Sequence, residues 1–350
     1  MQTRQLGRTG RDVSVVGLGC WQLGADWGQV DDQTALAVLG AAVDSGVTFL
    51  DTADVYGDGR SEQLIARFRA AHPQLDLLVA TKAGRRANPH VAEAFTPQAL
   101  RGWIDRSRTN LRMDRLDLVQ LHCPPPAVYG TDAVFDALDE LVAEQVIAAY
   151  GVSVETCDEA LAAIARPNVA SIQIILNALR LKPLEAVLPA AAGAGVGIIA
   201  RVPLASGLLS GRYDESTTFA ADDHRTYNRH GEAFDVGETF SGVPYEVGLA
   251  AARELAALVA GSAGPAGWGS PTGPASTAAP AQPAVPLAAF ALRWVIDQPG
   301  VSAVIPGART PEQAGANAAA EQLPALTSAQ LDGVREIYQR LVAPHVHDRW

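Results

Sequence analysis

Four residues in the first 122 positions could move a proton together: Asp51, Tyr56, Lys82 and His122. Asp51, Lys82 and His122 each end a short apolar run (VTFLD, LLVATK and LDLVQLH), and Tyr56 follows Asp51 in the segment DTADVY. A tyrosine, with a pKa of about 10, gives up its proton reluctantly at neutral pH. A neighbouring ammonium favours the phenolate and is expected to lower that pKa by roughly 1–3 units. Asp51 would keep Lys82 charged and oriented, and a neutral His122 would hydrogen-bond a carbonyl oxygen. Such a set protonates or deprotonates the oxygen of a carbon that gains or loses hydride. Hydrolysis is not indicated, because no G-x-S-x-G elbow and no Cys–His pair stands in register. No metal set is read either: His345 and His347 lack a nearby Cys or Glu. Singly, each residue has a plain structural reading, Lys82 as an ion-pair partner of Asp51 and Tyr56 and His122 as packing. Their placement at successive strand ends gives the chemical reading its weight.

That placement depends on the surrounding elements. Eight short apolar runs lie at 13–19, 47–51, 77–82, 116–122, 148–154, 170–177, 195–204 and 301–307. Most are nearly continuous and rich in β-branched residues, as strands buried on both faces of a parallel sheet are. Helical spacing fills the gaps. Asp31 or Asp32 caps one segment that stops at Gly46, and Thr96-Pro97 and Thr310-Pro311 open two others. Strand and helix in alternation predict an α/β fold, a (β/α)8 TIM barrel. An open doubly wound sheet would show G-x-G-x-x-G after its first strand, and GLGCWQLG (17–24) lacks that spacing. Catalytic groups of such a barrel sit at the carboxyl ends of its strands. Three segments exceed the minimal barrel. The residues before Val13 suggest an N-terminal hairpin closing the barrel bottom. A long loop, 206–244, follows the seventh strand and reads as a lid or as disordered. The uncharged Gly/Pro-rich run 261–286 reads as a flexible insert, dispensable for chemistry. Residues 1–350 are taken as one barrel domain.

Of the 350 residues, 48% are apolar and 19% charged, a balance that suits a well-buried globular enzyme. A net charge of −11 argues against nucleic acid and anionic membranes as partners. Cys20, Cys123 and Cys157 form no disulfide framework, which points to a reducing compartment and a cytoplasmic protein. A monomer or weak homo-oligomer is expected.

In order along the chain, the strings GLGCW (17–21), FLDTADVYGDGRSEQLI (49–65), TKAG (81–84), LDLVQLHCP (116–124), GVS (151–153) and IPGARTPEQAGAN (305–317) resemble the aldo-keto reductase superfamily. The resemblance implies an NADPH-dependent reductase of small-molecule aldehydes or ketones, working without a metal. Tyr56 would be the general acid, Asp51 and Lys82 its tuning pair, and His122 the group that orients the carbonyl. Ser153 and Gln173 would grip the nicotinamide carboxamide, and Leu204 and Ser206 would lie along the pyrophosphate. Gly307, Ala308, Arg309, Gln313 and Asn317 would surround the adenosine end. There the opening turn of a helix offers free N–H groups, and Arg309 offers a fork for a phosphate. Some positions depart from the family pattern. Val154 replaces a common Asn, Arg201 stands where an aromatic often stacks on the nicotinamide, and Ala316 and Gln313 replace adenosine-site groups. Trp21, Trp27 and Val55 are candidate substrate-pocket residues. Arg85 and Arg86 read either as an attraction for anionic substrates or as solvated loop charges. The tail 344–350 either frays or brings Trp350 to the pocket. The rival functions are a cofactor-binding accessory or sensor subunit with little turnover, like the channel-associated β members, and a Schiff-base lyase built on Lys82.

Overall fold

Residues 1–24, 30–261 and 285–350 are described by a computed structural model of the chain. An antiparallel hairpin comes first, β1 (Thr3–Gln5) with β2 (Asp12–Ser14). The parallel strands β3 (Leu18–Gly19), β4 (Phe49–Asp51), β5 (Leu78–Ala83) and β6 (Leu118–His122) follow. The set is completed by β7 (Tyr150–Ser153), β8 (Val169–Ile175), β9 (Gly197–Arg201) and β10 (Val301–Val304). These eight strands hydrogen-bond in sequence order. The ring closes between its last and first strands through parallel bridges, Val16 to Val304 and Gly19 to Gly307.

Parallel neighbours need crossovers, and helices supply them. From β3 onward the connections carry α1 (Asp32–Asp44), α2 (Arg60–Ala71), α3 (Pro97–Leu111), α4 (Asp132–Ala143), α5 (Cys157–Ile164) and α6 (Val187–Ala194). Between β9 and β10 lie α7 (His224–Tyr227), α8 (Tyr245–Gly261) and α9 (Leu287–Ile296). The chain then runs through α10 (Pro311–Ala319) and α11 (Ser328–Ile337). This is the (β/α)8 barrel the sequence predicts. The capping residues behave as read: Asp31, Thr96 and Thr310 accept from the amides of Thr34, Ala99 and Gln313. Each such cap contributes about 1 kcal/mol.

The hairpin plugs the barrel. Leu6 and Val13 join Phe49, Leu78, Leu118, Ile199 and Ala303 in one apolar cluster. Gly7 takes φ +48° hard against the start of β9, where a Cβ would stand 2.1 Å from the Gly197 nitrogen. Arg8 donates to the carbonyls of Pro167 and Ala194 at 2.5 and 2.7 Å. With the amino ends of the strands sealed, the carboxyl ends are left for a site.

Three expectations need correction or refinement. The run 13–19 is divided, because Val13 pairs with Arg4 in the hairpin and the barrel strand starts only at Leu18. The long loop has local order: Ser206 Oγ donates to the Glu238 carbonyl and accepts from the Phe240 amide, tying its two ends together. The tail is docked rather than frayed, but not on the cavity wall. Trp350 Nε1 donates to Asp235 Oδ1 at 3.0 Å, and its ring lies 4.1 Å from the Arg180 guanidinium. Those two groups satisfy both the polar tip and the π-face of the indole, so it settles on the back of the long loop. The Gly/Pro-rich run 261–286, apart from its ends, and Trp27 lie outside the described residues. No helix among the described residues is long and apolar enough to cross a membrane.

Candidate active site

β4, β5 and β6 are adjacent, so the side chains at their carboxyl ends meet at the rim. Lys82 Nζ donates to Asp51 Oδ1 at 2.5 Å, to the Thr52 carbonyl at 2.9 Å and to Tyr56 Oη at 3.2 Å. Tyr56 is carried by a turn whose close approach to the first rim loop admits only glycine. Gly57 has φ +59°, and a Cβ there would lie 2.1 Å from the Gly24 carbonyl oxygen. The His122 ring stands edge-on to Tyr56, with centroids 6.0 Å apart and planes at 89°. The four candidate catalytic residues therefore form one cluster.

Asp51 has a second set of partners that the sequence reading did not assign. Gln120 Nε2 and Gln173 Nε2 donate to its Oδ2 at 3.0 and 2.7 Å, and Gln173 also donates to Gln120 Oε1 at 3.1 Å. Both glutamines are buried. Gln120 was legible in principle as the polar residue in the middle of the apolar stretch LVQL, whose side chain must point either into the barrel or at a helix.

Burial and charge compete at each group. Tyr56 is pushed up to about 12, because burial outweighs the opposing pull of Lys82 and Asp51 adds to the rise. This reverses the expected lowering: the lysine acts in the expected direction, but the dry site dominates. Burial also works against the Lys82 charge, yet Asp51 and Tyr56 together hold its pKa above the usual ammonium value. His122 is driven well below the ordinary imidazole range by burial, with Arg85, Lys82 and Arg201 adding to the effect. It is neutral near pH 7, and its Nδ1 is buried without a hydrogen-bond partner among the described residues.

The cluster opens into a cavity of about 1080 Å³. Its walls include every described residue assigned to the coenzyme or substrate: Ser153, Gln173, Arg201, Leu204, Ser206, Gly307, Ala308, Arg309, Gln313, Asn317, Trp21 and Val55. Trp21 stacks on Tyr56 at 6.0 Å and meets Phe234 of the long loop edge-on at 5.8 Å. At the far end, two side chains brace the turn before α10. Gln313 Oε1 accepts from the Arg309 amide at 2.8 Å, and Asn317 Nδ2 donates to the Gly307 carbonyl at 3.1 Å. Arg309 is exposed and makes no ion pair among the described residues. Gln22, which the sequence reading passed over, lies against Gly307 so closely that a Cβ there would sit 2.2 Å from its amide.

Arg201 is partnered rather than bare. It pairs with Glu155 Oε2 at 2.9 Å and with Glu238 Oε1, and donates to the Val154 carbonyl at 2.9 Å. Two carboxylates thus neutralise its charge on the cavity wall. Glu238 lies in the long loop and carried no sequence signal. Arg85 and Arg86 are not simply solvated: Arg85 lines the cavity, while Arg86 pairs with Asp58 at 2.6 Å. Cys123, Glu155 and Glu238 converge closely enough to suggest metal ligands, but the Arg201 guanidinium is hydrogen-bonded to both carboxylates.

The model of the aldo/keto reductase family matches residues 15–339. An aldo-keto reductase of Bacillus subtilis, YhdN, is 27% identical over 316 residues, covering 89% of this chain and 86% of its own length. D-threo-aldose 1-dehydrogenase of a Pseudomonas species is 33% identical over 240 residues, covering 59% and 72%. Among solved structures, the glycerol dehydrogenase AKR11B4 of Gluconobacter oxydans superposes with a TM-score of 0.74 at 27% identity, covering 99% of this chain and 97% of that one. With the family pattern matched over nearly the whole barrel, this chain belongs to the aldo/keto reductase family of oxidoreductases.

Proposed function

We propose that the protein interconverts an aldehyde or ketone with its alcohol, using NADP(H) as hydride carrier and Tyr56 as the proton donor to the carbonyl oxygen. The observation that carries this reading is the single ammonium of Lys82, hydrogen-bonded at once to Asp51 and Tyr56 beside an uncharged His122.

The cavity fits a dinucleotide. It extends from Tyr56 and His122 to Arg309, and two buried polar atoms on its wall, His122 Nδ1 and Gln22 Oε1, lack partners among the described residues. Ser153 and the side-chain oxygen of Gln173 would hold the carboxamide, Leu204 and Ser206 the pyrophosphate, and Arg309 the 2′-phosphate, with Gln313 and Asn317 steadying its turn. When bound, the coenzyme supplies or accepts hydride. The remaining chemistry belongs to the chain. His122, being neutral, donates a hydrogen bond to the carbonyl oxygen and fixes it beside Tyr56 Oη. Tyr56 keeps its proton until that oxygen gains negative charge, because an alkoxide is a far stronger base than a phenolate even at a pKa of about 12. The phenolate left behind rests on the Lys82 ammonium. Burial of Asp51, Lys82 and Gln173 keeps competing water from that proton. A Schiff-base role for Lys82 would need a neutral amine, whereas three oxygens hold it as ammonium.

Tyr56→Phe tests the reading. Carbonyl-dependent NADPH oxidation should fall by at least ~10²-fold, the scale of general acid catalysis. NADPH binding, followed by its fluorescence, should persist. Full turnover in this variant would remove Tyr56 from the mechanism.

A further inference from the structure

Two arginines line the cavity on the His122 side, and they are partnered very differently. Arg201 is engaged through both terminal nitrogens by Glu155, Glu238 and the Val154 carbonyl, and only its Nε lacks a partner among the described residues. Arg85, in the turn after β5, is not so engaged. Its nearest carboxylate oxygen, Glu155 Oε1, stands 3.6 Å away, outside hydrogen-bonding distance, and its guanidinium makes no hydrogen bond to the described residues. Its side chain is 26% exposed, and the guanidinium carbon lies 5.9 Å from the Phe234 ring. The adjacent Arg86 is drawn away to Asp58 and Asp54.

A guanidinium presents its N–H donors in a planar fork that matches a carboxylate, two bonds on two oxygens. On the cavity wall, in ion-pair range of Glu155 but hydrogen-bonded to no described residue, the Arg85 fork keeps its donors open to the cavity, where the two oxygens of an anion can take a pair of them. Around His122 the positive groups are Arg85, Lys82 and Arg201, and the carboxylates facing Arg85 are Glu155 and Glu238, both of which are hydrogen-bonded by Arg201.

We propose that Arg85 is an anion-recognition residue and that the substrates reduced at Tyr56 are oxo acids, carbonyl compounds carrying a carboxylate a few bonds from the reacting carbon. This rests on the carbonyl-reductase reading above. In the forward direction the carbonyl carbon gains hydride, its oxygen gains the Tyr56 proton, and the carboxylate, held by Arg85, leaves unchanged in a hydroxy acid.

Two measurements on the full-length protein test this. The first compares kcat/KM for ω-oxo carboxylates of two to five carbons with that for their methyl esters. The wild type should favour at least one acid by tenfold or more. Arg85→Met should bring that ratio to near unity, and Arg85→Lys, which keeps charge without the fork, should retain part of it. Esters used as well as acids by the wild type, or a ratio unmoved in Arg85→Met, would overturn the proposal while leaving the reductase reading intact. The second measurement needs no turnover. Tryptophan fluorescence is titrated with 4-hydroxybutyrate and with its amide, in the presence of coenzyme. Acid binding that weakens at least tenfold in Arg85→Met supports the anion site even if no carbonyl is reduced. Equal binding of acid and amide contradicts it.

Discussion

Lys82 serves three oxygens, and the consequences of its loss extend beyond the phenol. Lys82→Met should abolish turnover and, by leaving Asp51 buried and unpaired, cost roughly 3–5 kcal/mol in urea unfolding. Adding Asp51→Asn to that variant should recover much of the stability and none of the activity, which separates the two effects. Gln120→Leu removes one of the two amides on Asp51 Oδ2. It should lower kcat and shift its pH profile more than it raises KM, and Gln120→Asn should restore part of the loss. Arg309→Ala should weaken NADPH much more than NADH in fluorescence titrations; an equal loss for both coenzymes would take Arg309 out of the phosphate site. Asp54 gives a pH-dependent case. Its carboxylate is buried, and its pKa is raised to about 7, chiefly by burial and then by Glu62, against the pull of Arg86, Arg106 and the Val55 amide. Because this folded value lies above the unfolded one, the native state binds more protons between them. The contribution of Asp54 to stability is thus present in acid and is lost as pH rises through 7. Asp54→Asn should raise the urea midpoint at pH 8 relative to pH 5, by roughly 1–3 kcal/mol in free energy.

At the scale of elements, what is local was legible and what is distant was not. Asp31, Thr96 and Thr310 announced their helices because a cap is read by amides only two or three residues away. The long loop announced only its length. Its fastenings, Ser206 to Phe240, Arg201 to Glu238 and Trp350 to Asp235, join residues far apart in sequence. The chain enters it through turns at Val202, Ala205 and Ser206 with φ of +52°, +47° and +53°, left-handed values for which glycine would have been the usual signal. A β-branched residue held there marks backbone that its surroundings over-determine. Glu238→Gln should therefore loosen the loop as a unit. Amides at 236–242 should exchange faster in deuterium oxide, while those of β5 and β6 keep their protection.

For the whole molecule, the order of strand-closing residues along the chain was enough to place Asp51, Lys82 and His122 on one rim, since parallel neighbours put their carboxyl ends side by side. Competition between burial and charge at Tyr56 was not legible, because the dryness of a site is a property of the closed barrel and not of any segment. The ring itself is uneven. Where β8 and β9 pair along five registered positions, the first and last strands meet through two isolated bridges. Gln22 and Gly307, on the proposed coenzyme wall, face each other across that meeting. A molecule resting against both acts as a clasp on this narrow join of the cylinder. Loading the protein with NADPH should accordingly slow exchange of the Gly17, Gly19 and Val304 amides before any others, so that occupancy can be read from the closing strands themselves without watching a reaction.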